Sequence, residues 1–251
     1  MKEFIINFPV PWADVHGEDI IFDMDGTLVD GDLGETVFYR SLLDASAESS
    51  EDHESLQVRG QPAALLTSYR ESIIQGQLTK AYRMVAEWLD VLPAETVASA
   101  AREILEANAA PHVIHVMAQN AAGMHVHELR YGARLKADMQ RMIETLQQWG
   151  ARCWIVSASP QMICEMLGGV YNIPDERVLG VRSQNGSVHI PWHLEKVMVL
   201  KEHGVTAPLV AFGDSVGDRE MLCFARHQVV MQDGDPALVR EAKEQGWHIF
   251  G

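Results

Sequence analysis

The sequence predicts an α/β fold, a doubly wound parallel sheet with a helical insertion after its first strand, and three observations carry that expectation. Apolar runs of strand length, Ile20-Ile21-Phe22, Cys153-Trp154-Ile155-Val156, Leu209-Val210-Ala211-Phe212 and Val229-Val230-Met231, alternate with segments of helical period. The first three end in residues able to do chemistry: Asp23-Met24-Asp25, Ser157-Ala158-Ser159 and Gly213-Asp214-Ser215-Val216-Gly217-Asp218. Between the first run and the second lies a long stretch of helix-rich texture.

Taken in order, Ile20 to Phe22 feeds a tight turn at Gly26. From Leu33 to Arg134 the pattern is mostly helical. Ala81, Val85, Trp88, Leu89 and Leu92 fall on one helix face, and Val97, Ala101, Ile104 and Leu105 repeat that spacing after Pro93. The polar, acidic stretch from Asp44 to Gln61 reads as a mobile surface loop. Leu135, Met139, Met142, Ile143 and Leu146 then form a helix face that stops at Gly150. After the strand at Cys153 to Val156 a short helix is expected, with Ser159 as its N-cap and Pro160 at its first position. Val178–Val181 and Val188–Ile190 flank Asn185-Gly186, a strong hairpin signal. A helix around Glu195 to His203, the strand Leu209–Phe212, a helix from Asp218, the strand Val229–Met231, a helix from Pro236 and the run Trp247–Phe250 complete the alternation.

Composition excludes several classes. The 251 residues are 47% hydrophobic and 22% charged, which suits a globular protein with a full core. Against 35 Asp and Glu stand 20 Lys and Arg, a net charge of −15, so nucleic acid and anionic membrane are not expected partners. Three cysteines, with Cys153 in a buried strand, suggest a reducing compartment. The N-terminal apolar stretch is too short and broken for a signal peptide or membrane span, so a cytoplasmic protein is expected.

In open α/β sheets the ligand crevice lies outside the carboxyl ends of the strands, so the three polar strand ends should converge. Asp23, Asp25, Asp214 and Asp218 cannot all ionise there without a cation. Aspartate oxygens, with positions left for water and substrate, suit magnesium, which usually binds alongside a phosphate. A calcium loop is a poor alternative: Leu28 stands at the sixth position from Asp23, where glycine is needed, and Gly34 at the twelfth, where glutamate is needed.

DMDGT at Asp23, the apolar strand ending in Ser157, Lys196 opening a helix and GDSVGD from Gly213 resemble, in order, the four motifs of the haloacid dehalogenase superfamily of phosphohydrolases. The insertion resembles the helical cap of its phosphoserine-phosphatase-like branch. The resemblance implies a Rossmann-like core over residues 1–32 and 135–251, an α-helical cap domain over 33–134, and phosphomonoester hydrolysis with Mg2+. It further implies Asp23 as the nucleophile and Asp25 as the acid and base. Ser157, with main-chain groups at Ala158, would hold a phosphoryl oxygen, and Lys196 would neutralise its charge. Asp214 would ligate magnesium with the Asp23 carboxylate and the Asp25 carbonyl, and Asp218 would act through water or by orienting Lys196. Asp25 argues against dehalogenation, because the namesake dehalogenases lack that second aspartate.

Substrate choice would rest on the insertion. Asp32 occupies the place where phosphoserine phosphatases face the substrate ammonium, with Glu35 close behind; the competing reading of Asp32 is a helix N-terminal acid. Where those enzymes carry an arginine for the substrate carboxylate, Glu87 stands here, with Tyr82 and Trp88 adjacent and Arg83 one turn away. An acid beside aromatics suits a cationic head group, such as that of phosphocholine or phosphoethanolamine. Phosphoserine hydrolysis, a phosphotransferase, and a non-catalytic phosphate-binding regulatory protein remain alternatives. His112, His115, His125 and His127 have spacings that could ligate zinc, but surface or hinge histidines are the simpler expectation.

Overall fold

The computed structural model describes residues 8–46, 56–184 and 187–251. The chain divides into two compact units: one holds residues up to Asp30, Leu135–Val181 and Ile190–Gly251, the other Gly31–Arg134 with Arg182–His189.

The first unit is built on strands β1 (Asp19–Phe22), β7 (Arg152–Pro160), β8 (Val178–Gln184), β10 (Val210–Gly213), β11 (His227–Met231) and β12 (His248–Phe250). With β9 (Ser187–His189) they form a seven-stranded sheet in the order β12-β11-β10-β1-β7-β8-β9. All pairs are parallel except β8–β9. Strand β1 therefore lies in the middle, with Phe22 registered on Phe212 of β10 at one side and on Ile155 of β7 at the other. Burial from both faces explains why Ile20, Ile21 and Phe22 form an unbroken apolar run. One face packs Ile21, Val156, Ala211 and Val230 against Leu200, Met221, Leu222 and Leu238. On the other face Phe22 and Phe212 stack at 4.7 Å, with Phe8 against Phe212. The chain runs outward from β1 to β7 and β8, then returns to β10 and continues to β11 and β12, so the winding reverses beside β1 and opens a crevice at the strand carboxyl ends. The doubly wound expectation is met.

In the second unit, helices α1 (Leu33–Ser46), α2 (Gly60–Ile74), α3 (Leu78–Asp90) and α4 (Ala94–Ala107) carry the expected apolar faces, with Ala81, Val85, Leu89, Val97, Ala101 and Ile104 buried. Asp32 caps α1, its Oδ1 accepting from the Glu35 N–H at 2.6 Å.

The expectation of a mostly helical stretch to Arg134 needs correction. Strands β3 (Leu56–Arg59), β4 (His112–Asn120) and β5 (Gly123–Tyr131) form a three-stranded sheet, β4 and β5 as a long antiparallel hairpin. The hairpin was hard to read because apolar residues occur on both of its faces: Val116 and Ala118 inward, Val113, Met124 and Val126 exposed. Its turn, with the Ala122 N–H donating to Asn120 Oδ1 at 2.9 Å, also lacks a strong turn dipeptide. The loop expected from Asp44 to Gln61 is corrected at both ends: Asp44 to Ser46 end α1, Leu56 to Arg59 are strand, and Gly60 opens α2; residues 47–55 lie outside the described residues, as do Asn185 and Gly186, where a hairpin turn was expected. Strands β8 and β9 pair antiparallel on either side of those two residues. The pairing strands β2 (Val29–Gly31) and β6 (Ala133–Leu135) contain the points where the chain passes from one unit to the other and back.

The remaining helices, α5 (Ala137–Gln148), α6 (Gln161–Val170), α7 (Leu194–Glu202), α8 (Arg219–Phe224) and α9 (Pro236–Gln245), follow the sequence pattern with two adjustments. Leu135 belongs to β6 rather than to α5, and a 3-10 turn over Val216–Asp218 precedes α8.

Candidate active site

The first unit gathers its chemical residues at the carboxyl ends of β1, β7 and β10. Asp23 follows β1, and its N–H donates to the Phe212 carbonyl at 3.0 Å, so the sheet register itself fixes the backbone at this position. The chain then turns sharply: Gly26 has φ +80°, Leu28 N–H donates to the Met24 carbonyl at 2.7 Å, and Gly26 N–H to the Val29 carbonyl at 2.9 Å. Only glycine suits Gly26, since a Cβ there would be strained and would collide with the Asp214 carboxylate.

Lys196 reaches this point from the first turn of α7. Its Nζ donates to Asp23 Oδ1 and to Asp218 Oδ1, the latter at 2.5 Å. Lys196 is 1% exposed, Asp218 0% and Asp23 6%, so the three charges are held away from water. Leu200, one turn on and fully buried, turns that face of α7 inward, while Lys201 points outward over the Phe224 ring. Asp218 Oδ2 accepts from the N–H groups of Asp214 and Ser215 at 3.1 and 3.0 Å and from Ser215 Oγ at 3.1 Å. Both oxygens of Asp218 are thus engaged with protein donors: it holds Lys196 on one side and the GDSVGD turn on the other.

Asp214 is placed differently. Thr27 Oγ1 donates to its Oδ1 at 3.4 Å, and its main-chain carbonyl accepts from Asp235 N–H at 2.6 Å. Asp23, Asp214 and Asp218 can bring one carboxylate oxygen each to within 4.8 Å of one another, the one such group of three metal-capable side chains among the described residues. Burial, then the charge of Asp218, pushes the Asp23 carboxyl well above its ordinary range against the pull of Lys196. The same two causes raise Asp214 to about 7. Although burial favours a neutral Lys196 amine, Asp218 and Asp23 more than offset it and hold the amine charged. One lysine does not balance these aspartates. The donor set is short of positive charge, made of hard oxygens, and has its space kept clear by a glycine, which fits a divalent cation.

Strand β7 supplies the third edge. Its register against β8 shifts between Val156 and Pro160, a bulge that re-aims the main chain where Ser157 and Ser159 stand. Ser157 Oγ, 2% exposed, accepts from the Ser159 N–H at 3.0 Å, and Ala158 between them is half-buried. The expected N-cap role of Ser159 is incorrect. Pro160 occupies the cap position and α6 starts at Gln161, while Ser159 Oγ donates to Asp25 Oδ2 at 2.6 Å. Sequence spacing could not distinguish a serine capping its own helix from one bonding across to another strand end. Lys136 was also missed: its Nζ donates to the Gly26 carbonyl at 2.6 Å and pairs with Asp233 at 2.9 Å, bracing the turn after Asp25. No motif marks it.

The residues assigned to substrate choice lie in the second unit. Asp32 spends one oxygen on the α1 cap. Glu35 accepts from the Tyr69 hydroxyl and, largely through burial, its carboxyl is raised. Glu87 lies on the exposed face of α3, and Trp88 Nε1 donates to Ser41 Oγ at 2.8 Å. The four histidines are strand residues. His112, His125 and His127 share one face of the β4–β5 hairpin while His115 lies on the other, paired with Glu128 at 3.8 Å. His127 Nε2 is 3.2 Å from Thr67 Oγ1. Strand alternation therefore divides the set that spacing had suggested for zinc.

With this arrangement established, comparison identifies the class. The haloacid dehalogenase-like hydrolase family matches residues 20–222, and the chain belongs to that family. Among solved structures, a protein of unknown function from Bordetella pertussis Tohama I superposes with a TM-score of 0.64 at 15% identity, over 94% of this chain and 99% of that one. A haloacid dehalogenase family hydrolase from Salmonella enterica serovar Typhi gives 0.58 at 14% identity over 99% and 74%. A phosphoserine phosphatase described as a phospho-aspartyl intermediate analogue gives 0.52 at 15% over 93% and 92%. These likenesses establish a shared fold. Among curated proteins none matches the sequence.

Proposed function

We propose that the protein is a magnesium-dependent phosphomonoesterase that hydrolyses a small phosphorylated metabolite through an aspartyl-phosphate. The observation that carries this reading is the buried Asp23–Lys196–Asp218 contact beside Asp214, with Asp25 at the same strand end. Asp23 attacks phosphorus in line as the alkoxide leaves from the opposite side, and Lys196 neutralises charge developing on the equatorial oxygens. Ser157 donates its hydroxyl proton to a phosphoryl oxygen, with main-chain groups at Ala158 beside it. Asp25 gives its proton to the leaving alkoxide and takes one from the water that opens the aspartyl-phosphate. Asp218 keeps Lys196 aimed at Asp23. Asp23, Asp214 and the Asp25 carbonyl would hold Mg2+, which when bound offsets the charge that the aspartates and a phosphate bring together. The insertion, residues 33–134, would act as the cap that excludes bulk water.

An amine-bearing substrate, phosphocholine or phosphoethanolamine, is the finer reading. It is supported by the acids Asp32, Glu35 and Glu87 and by the absence of an arginine at the Glu87 position. Phosphoserine hydrolysis or transfer to an acceptor alcohol would be the alternatives within the family. No helix among the described residues is long and apolar enough to cross a membrane; a cytoplasmic location is supported by the three cysteines, and the net charge of −15 argues against nucleic-acid partners.

The test is turnover of 4-nitrophenyl phosphate and a panel of phosphorylated metabolites, with Mg2+ present or chelated, for the wild type and Asp23→Asn. Loss of about 10⁴-fold or more in Asp23→Asn, and loss on chelation, are expected. Equal rates in the two proteins would overturn the covalent mechanism, and faster turnover of phosphoserine than of phosphocholine or phosphoethanolamine would overturn the amine reading.

A further inference from the structure

We infer that Ser159 is a positioning residue that orients the Asp25 carboxyl for proton exchange; this rests on the assignment of Asp25 as acid and base. Ser159 Oγ donates to Asp25 Oδ2 at 2.6 Å across the strand ends, and Ser159 is 7% exposed. So short a hydrogen bond from a buried hydroxyl to a carboxylate oxygen is strong and directional, and it holds the Asp25 carboxyl against the end of β7.

The donor is itself rigidly held. The Ser159 N–H donates to Ser157 Oγ at 3.0 Å, and its carbonyl accepts from Cys164 Sγ at 3.4 Å. Gly180 of β8 lets the chain lie this close, because a Cβ there would come within 2.8 Å of the Ser159 carbonyl, the Gln161 Cα and Cys164 Sγ. On the receiving side, the turn at Gly26 and the bridge between Asp25 and Val29 fix the Asp25 backbone. The Ser159 hydroxyl adds a restraint on the rotation of the Asp25 side chain. One hydrogen bond thereby links the strand that binds a phosphoryl oxygen through Ser157 to the group that serves the leaving oxygen. The balance of the step is unchanged by Ser159. The proton on the Asp25 carboxyl passes to the leaving alkoxide as the P–O bond breaks, and the same carboxylate later takes a proton from water as that water attacks phosphorus.

A positioning role for the acid has a signature that a merely structural role lacks. The ratio kcat/KM covers steps up to aspartyl-phosphate formation, where an alkoxide leaving group needs a proton and 4-nitrophenolate does not. Ser159→Ala should lower kcat/KM on the best alkyl phosphate of the panel by roughly 10- to 100-fold, within the range of general acid catalysis, and leave it within about two-fold on 4-nitrophenyl phosphate. Ser159→Thr, which keeps the hydroxyl, should recover most of the alkyl activity, and thermal melting of both variants checks folding. Equal losses on both substrates, or no loss on either, would overturn the inference. Asp25→Asn separates it from its premise: leaving-group dependence in Asp25→Asn but not in Ser159→Ala sinks the positioning role alone, whereas its absence from Asp25→Asn removes the acid assignment and this inference together.

Discussion

The two units of the chain satisfy their buried polar groups in different ways. In the first, charges from distant segments hold one another: Lys196 with Asp23 and Asp218, and the turn of Asp214 and Ser215 with Asp218. In the second, contacts among the described residues such as Trp88 with Ser41, Tyr69 with Glu35, and Thr67 with His127 join partners of the same unit with at most one charge in each pair. The difference bears on where the proposed chemistry and selectivity would be kept. Interlocked buried charge is costly and persists where each member needs the others, which is what the proposed reaction centre would require. A unit whose interior closes on itself leaves its exposed side chains free to vary with the substrate.

Lys196→Met should break this comparison most severely. It leaves Asp23 and Asp218 buried without their cation and should cost about 3–5 kcal/mol in urea denaturation; a cost under about 1 kcal/mol would mean that the charges are not interlocked. Two left-handed glycines sharpen the contrast next. Gly26→Ala drives a methyl into Asp214 and should weaken Mg2+ binding at least about ten-fold by calorimetry, with a further strain cost. Gly76→Ala in the second unit has the same backbone handedness, φ +70°, but open space, and should cost only about 1 kcal/mol.

The pH dependence is a milder probe of the same centre. Asp214 titrates near 7 in the folded chain against 3.8 ordinarily, so between those values the folded form holds the extra proton. Stability of the metal-free protein should therefore fall as pH rises from about 4 to about 7. Melting temperatures in EDTA and in Mg2+ should diverge as pH rises, and Asp214→Asn should flatten the slope and remove much of the divergence. The smallest effects belong to the second unit. Trp88→Phe loses the bond to Ser41 and about 1 kcal/mol. Glu87→Ala should stay within about 0.5 kcal/mol of wild type by denaturation while changing the ranking of substrates in the panel; an unchanged ranking would remove Glu87 from substrate choice.

Much of the first unit was legible in the sequence because its signals are strong and local. Four apolar runs buried on both faces gave the strands, and acids at their ends gave Asp23, Asp25, Asp214 and Asp218. Lys196 was marked by its place at the opening of a helix between the Ser157 strand and GDSVGD. What could not be read were contacts that cross the sheet without a pattern along the chain. Ser159 looked like a cap for the helix beside it and serves Asp25 instead; Lys136 braces Gly26 with no motif to mark it. The β4–β5 hairpin was lost for another reason. With Val113 and Val126 outside and Val116 and Ala118 inside, its alternation of polar and apolar residues is blurred.

The central position of β1 has a consequence for how the protein is made. β1 is the first strand of the sheet to be synthesised, yet one of its edges is completed only when Val210 to Phe212 have been added, long after the whole insertion. Until then the nascent chain carries Ile20, Ile21 and Phe22 with half their backbone partners missing, and Asp23 without the lysine that holds it. A ribosome stalled between β7 and β10 would present that unpaired edge to the cell, so this chain should depend more on holding chaperones during translation than a protein whose sheet is laid down strand by neighbouring strand.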